Sequence, residues 1–95
     1  MAEVDMVIAQ AISIGAPVYN AGSPLGCYRI YEGAAYKLLF MLDRSCPDLT
    51  AFVRASLAQA EADAAIDRKA WTMRRTFDTI LGEPTSTAPL VSPTF

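Results

Sequence analysis

Val4, Val7, Ile8, Ala11 and Ile12 recur three and four residues apart, the spacing that gathers side chains on one face of an α-helix. Glu3 and Asp5 stand in the first turn, where the helix dipole favours negative charge. The pattern predicts a first helix over about residues 3–14. Gly15 can close it in the left-handed conformation, and Pro17, lacking a backbone N–H, is expected to open no more than a short further turn through Asn20. Ser23 followed by Pro24 is a helix start: the serine oxygen can accept an orphan backbone donor, and proline fits the first helical position. The second helix, about 24–43, carries a broad apolar face of Leu25, Tyr28, Tyr31, Ala35, Leu38 and Leu42, widened by Cys27, Ala34 and Met41, which marks it as the central helix.

Ser45-Cys46-Pro47-Asp48 interrupts the pattern, with Asp48 or Thr50 expected to cap the next helix. Leu49, Phe52, Val53, Leu57, Ala60 and Ala64 outline this third helix over about 49–62. A break is expected between Glu61 and Asp67, where Asp63 or Asp67 can cap a fourth helix over 64–81 with the stripe Ile66, Ala70, Met73, Phe77, Ile80 and Leu81. Gly82 and Pro84 end it. No stretch sustains period-two alternation. The expected fold class is therefore all-α: a small bundle of four main helices in residues 1–82, followed by a Pro/Ser/Thr-rich extended tail over 83–95.

Composition narrows what such a bundle can do. Ninety-five residues suffice for one modest core. With 53% hydrophobic and 19% charged residues the chain is more apolar than an average soluble domain, and the surplus suits a surface covered by another chain. A net charge of -2 leaves no excess of Lys and Arg for nucleic-acid phosphates. The longest apolar stretch, Gly33 to Leu42, is too short to span a bilayer and contains Lys37, so no transmembrane segment is expected and any membrane association would run through a partner. Acidic residues at the start do not resemble a secretory signal, and Cys27 and Cys46 are too far apart along the predicted second helix to form a disulfide. The expectation is a soluble chain with two free thiols in a reducing compartment, cytoplasm or plastid stroma.

The chain has no histidine, which removes the usual neutral-pH proton shuttle and the Ser-His and Cys-His nucleophile pairs. Its acids sit mainly at helix ends and solvent faces, its cysteines lack metal-ligand spacing, and Gly15, Gly22 and Gly26 do not follow the phosphate-loop pattern. No enzymatic activity and no cofactor are expected. Tyr28 and Tyr31 share the apolar stripe, with hydroxyls expected at its edge, whereas Tyr19 and Tyr36 are freer to meet a partner. Arg68, Lys69, Arg74 and Arg75 make a local positive band, which Asp67 beside Arg68 and Asp78 four residues after Arg74 can neutralise. Trp71 lies off the fourth stripe, either capping the bundle or serving as an interface anchor.

Ile14, Gly15, Val18, Gly22, Cys27, Tyr31 and Ala34 match, in register, the large, small and aromatic positions of a tetratricopeptide repeat, and the segment 11–39 resembles one such helical hairpin. Ala11 stands where that family favours Trp, Pro17 falls within its first helix, and residues 45–78 do not repeat the pattern. The resemblance implies a right-handed helical hairpin with a protein-binding role. The block GCYRIYEGAAYKLL, residues 26–39, is also similar to small peripheral subunits of algal photosystem I assemblies, which implies a photosynthetic membrane complex as partner.

The function expected from these readings is a non-catalytic docking or accessory subunit within a larger assembly of protein chains. Tyr19, Tyr36, Trp71, Arg75 and the tail ending in Phe95 are its candidate contacts. The alternative is a small-molecule or pigment site near Asn20 to Tyr28, for which Asn20 and Glu32 are the candidate cofactor ligands.

Overall fold

The computed structural model describes residues 2–42 and 45–82; the tail over 83–95, with Phe95, lies outside the described residues. Four helices occupy them: α1 (Ala2–Asn20), α2 (Pro24–Leu42), α3 (Pro47–Ala62) and α4 (Ile66–Leu81). Among the described residues there is no strand, and no helix is long and apolar enough to cross a membrane. The described residues thus form an all-α bundle, as the periodicity predicts. α2 is the central element, packing against all three other helices; α1 lies along α2 and touches α4 at one flank, and α3 pairs with α4 on the other side.

The first helix runs six residues beyond its expected end. Gly15 does not close α1, and Pro17 does not stop it: the Ala21 amide donates to the Pro17 carbonyl at 2.9 Å. Two facts explain the override. Pro17 and Ser13 are both exposed, so the Ser13 carbonyl that loses its helical donor is open to water. Gly15 is buried in the α1–α2 seam, where a β-carbon would stand 2.6 Å from Cε1 of Tyr31, and continuing the helix brings Ala16 and Tyr19 onto the core. The stop is displaced to Gly22, whose φ of 106° closes α1. There the Ser23 amide donates to the Val18 carbonyl at 3.1 Å and the Gly22 amide to Tyr19 at 2.9 Å, the paired bonds of a Schellman turn. Ser23 then caps α2 as its position predicts, its Oγ accepting from the Gly26 amide at 3.1 Å. The glycine- and proline-rich segment between the first two helices is a corner.

α3 starts at Pro47, two residues earlier than expected, and neither Asp48 nor Thr50 caps it; Cys46 takes the cap position without a side-chain cap bond, and Thr50 is buried. The break before α4 is present at Asp63–Ala65. Asp63 rather than Asp67 organises it, its Oδ1 accepting from the Ala65 amide at 3.0 Å and from Nη2 of Arg68 at 2.9 Å. That guanidinium holds the Asp63 carboxyl below its ordinary range. Lys69 Nζ donates across the turn to the Ala60 and Glu61 carbonyls, each at 3.1 Å, satisfying the free end of α3. Gly82, at φ 78°, closes α4.

Ile8, Cys27, Tyr31, Leu38, Val53, Met73 and Phe77 are the largest fully enclosed side chains of the core among the described residues. Tyr31 is not at the edge of its stripe but wholly inside, edge-on to Phe77 with ring centroids 5.3 Å apart. Leu25, Phe52 and Ile66, read from spacing as core, are exposed because each lies at the margin of its stripe or at the corner end of the bundle. Cys27 and Cys46 are not joined in a disulfide.

Burial pushes the Cys27 thiol from its ordinary 9.0 up to about 11, outweighing the opposite pulls of Tyr31 and Arg74. The folded chain therefore holds this proton to higher pH than the unfolded chain does. Stability is expected to be fully retained below pH 9 and to fall as pH rises toward 11, with Tyr28 and Tyr31, also raised by burial, extending the loss at higher pH. Urea midpoints measured across that range should decline in the wild type and decline less steeply in Cys27→Ala; an equal slope in the two would contradict the assignment.

Candidate functional site

The positive band on α4 dissolves once its partners are in place. Arg68 is bound to Asp63, Lys69 to the end of α3, and Arg74 donates its Nε to Asp78 Oδ1 at 3.1 Å. Arg68 thus turns to Asp63, five residues back, instead of its neighbour Asp67. The Arg74–Asp78 pair is no solvent-face pair either, since Asp78 is buried. Arg75 points elsewhere: its guanidinium lies over the Trp71 ring, 5.9 Å from the centroid. Trp71 in turn meets Tyr19 of α1 edge-on, with centroids 6.2 Å apart at 72°.

Three of the residues singled out from sequence therefore converge on one surface, where α4 lies against the end of α1. Tyr19 reaches it because α1 continues past Pro17; a helix ending at residue 14 would not carry it there. Trp71 and Tyr19 are half-buried, resting on the core with their outer edges open, and Arg75 is exposed. A cation held over a partly open indole, with a second ring beside it, offers a flat apolar surface and a directional positive charge. That combination is enriched where proteins bind proteins.

On its other side Arg75 borders a groove of about 230 Å³ between α3 and α4, lined by Phe52, Ser56, Gln59 and the threonines 72, 76 and 79. Thr76 donates its hydroxyl to the Thr72 carbonyl at 2.9 Å and Thr79 to the Arg75 carbonyl at 2.8 Å, so those hydrogens are committed to the helix. Exposed Phe52 forms the apolar rim. Sequence reasoning missed it because its spacing with Leu49 and Val53 fits the third stripe.

Tyr36 does not join this surface. It stands half-exposed on the outer face of α2, one turn before Phe40, the most exposed large apolar side chain among the described residues. Phe40 falls outside the α2 stripe, and that displacement was the available signal for it.

The two candidate cofactor ligands are not brought together. Asn20 ends α1 at the corner. The Glu32 carboxylate takes Arg29 at 2.9 Å and accepts from the Tyr28 hydroxyl at 3.3 Å. It lines a groove of about 450 Å³ with Leu25, Tyr28, Arg29, Glu61, Ile66 and Lys69. Four charges in that lining balance one another around the Tyr28 ring, which has Lys69 Nζ 5.4 Å from its centroid. Burial, then Glu32, raises the Tyr28 hydroxyl to about 12, so it is a hydrogen-bond donor at neutral pH. Comparison of the chain with protein-family models, with curated proteins and with solved structures finds no match.

Proposed function

We propose that the chain is a non-catalytic docking or accessory subunit, and that it engages a protein partner through Tyr19, Trp71 and Arg75, with the Phe52 groove continuing the contact. The observation that carries this reading is the assembly of those three side chains, from two helices distant in sequence, into one aromatic and cationic cluster whose rings are partly buried and whose Arg75 is exposed. A ring pair already fixed by the core loses little conformational entropy on binding, which suits it as an anchor. On the resemblance read from residues 26–39, a photosynthetic membrane complex is the first class of assembly we propose to test.

A photoactivatable residue placed at Thr79, one turn beyond Arg75, should give a discrete crosslinked adduct in the native cell, whereas the same residue at Asp48 should not. Arg75→Glu changes an exposed side chain and is expected to weaken that adduct at least about tenfold. Equal crosslinking from both positions, or an adduct indifferent to Arg75→Glu, would remove the proposal.

A further inference from the structure

The outer face of α2 presents a knob and a seat two turns apart. The knob is Phe40, 87% exposed. The seat is Gly33, where even a β-carbon would meet nothing within 4 Å. Beside Gly33 runs a groove of about 200 Å³ between α1 and α2, lined by Val7, Ala11, Ile14, Ile30, Ala34 and Lys37. The groove is an open one, with Gln10 and Lys37 at its polar margin, so a ring laid in it would be covered on one side by this chain. Seven residues separate knob from seat, about 10 Å along the helix. Phe40 cannot fill the seat of its own chain, because it rises from the same face of the same helix.

From this geometry we infer that the chain pairs with a second copy of itself, α2 antiparallel to α2, with each Phe40 ring in the groove beside the other copy's Gly33. The arrangement follows from symmetry. A two-fold axis perpendicular to α2, level with the bond between Tyr36 and Lys37, maps position 40 onto 33 and 33 onto 40. Both contacts then form at once, and the contact closes without leaving a further sticky end. This surface is separate from the one that carries Trp71, so the inference stands or falls apart from the proposed function.

Area is sufficient for a weak pair. Phe40, Tyr36 at 51% and Ile14 at 49% exposure expose roughly 400 Å² of apolar surface at about 200 Å² per large side chain. With Ile30, Ala34 and the Lys37 stem each copy would bury about 500 Å², or on the order of 1,000 Å² in total, the lower bound for a specific interface. Charge supplies a signature. A two-fold axis in the contact plane keeps each flank on its own side, so the two Lys37 side chains meet on the α1 flank and oppose the pairing, while the Tyr36 rings meet on the other.

Sedimentation of the full chain from micromolar to millimolar concentration tests this. The expected result is a monomer–dimer equilibrium with Kd on the order of 10–100 μM. Phe40→Ala is expected to weaken it at least about tenfold. Gly33→Leu adds apolar surface and improves helix propensity, yet blocks the seat, and should also weaken pairing at least about tenfold. Lys37→Gln should tighten it severalfold. All three positions are exposed, so the variants should keep the wild-type helical circular dichroism. A wild type that stays monomeric to about 1 mM, or a Gly33→Leu chain that associates as tightly as the wild type, would overturn the inference.

Discussion

Tyr31→Ala is expected to lower stability by about 3–5 kcal/mol, the range for emptying a buried aromatic site. For a domain whose whole stability is about 5–15 kcal/mol that is a large share, and the thermal midpoint should fall by well over about 10 °C. The size of the effect comes from the contacts that converge on this ring. One edge meets Phe77 of α4, and Gly15 of α1 lies so close that no side chain fits between them. Removing the ring separates α1, α2 and α4 at once. The hydroxyl adds a smaller contribution: it faces Cys27 and Arg74 inside the core. Tyr31→Phe keeps the packing and should therefore cost no more than about 1 kcal/mol. Chemical denaturation of the three proteins separates the two contributions; a Tyr31→Phe cost approaching that of Tyr31→Ala would mean that polarity rather than packing holds the seam.

Gly15 shows how far the sequence could be read and where it failed. A glycine followed by a proline two residues later is a sound helix ending on local grounds, because both residues disfavour continued helix. The local cost is a few kcal/mol at most, and it is offset by contacts that a linear sequence does not display: Ala16 and Tyr19 on the core, and Tyr31 against the glycine itself. The central helix, the Ser23 cap, the break before α4 and the Gly82 stop were legible because each rests on backbone chemistry confined to a few residues. Capping of α3 was not, since Pro47 starts that helix without any side-chain acceptor. The site was legible by residue type more than by position. Trp71 and Arg75 lie four apart on one helix, and that pairing is readable; Tyr19 joins them only through the extension of α1. Tyr36 belongs to another face, and Phe40 beside it gains its meaning from Gly33, an empty position that hydrophobic spacing does not mark.

The Arg74–Asp78 pair was legible as a pair but not as a buried one, and its energetics invert the sequence-level expectation. On an isolated helix an acid four residues C-terminal to a base is the weaker orientation, and Asp78 stands in the last turn, where the helix dipole disfavours negative charge. The pair must therefore owe its stability to the tertiary surroundings. Asp78 is almost wholly enclosed, with 5% of its side chain exposed against 22% for Arg74. Arg74 interacts with the Tyr31 hydroxyl as well, which ties the pair to the core. Asp78→Ala leaves that guanidinium in a half-closed slot without its counter-charge. Loss of one partner from a fully buried pair costs about 3–5 kcal/mol, and the residual exposure of Arg74 brings the expected value to about 2–3 kcal/mol. Replacing both members, Arg74→Met with Asp78→Leu, removes the stranded charge and should return stability to within about 1 kcal/mol of the wild type. The cycle built from the two single variants and the double variant should then show a coupling of about 1–3 kcal/mol. Additive costs would mean that the two side chains are held independently, and the pair would be an incidental contact on an already rigid helix.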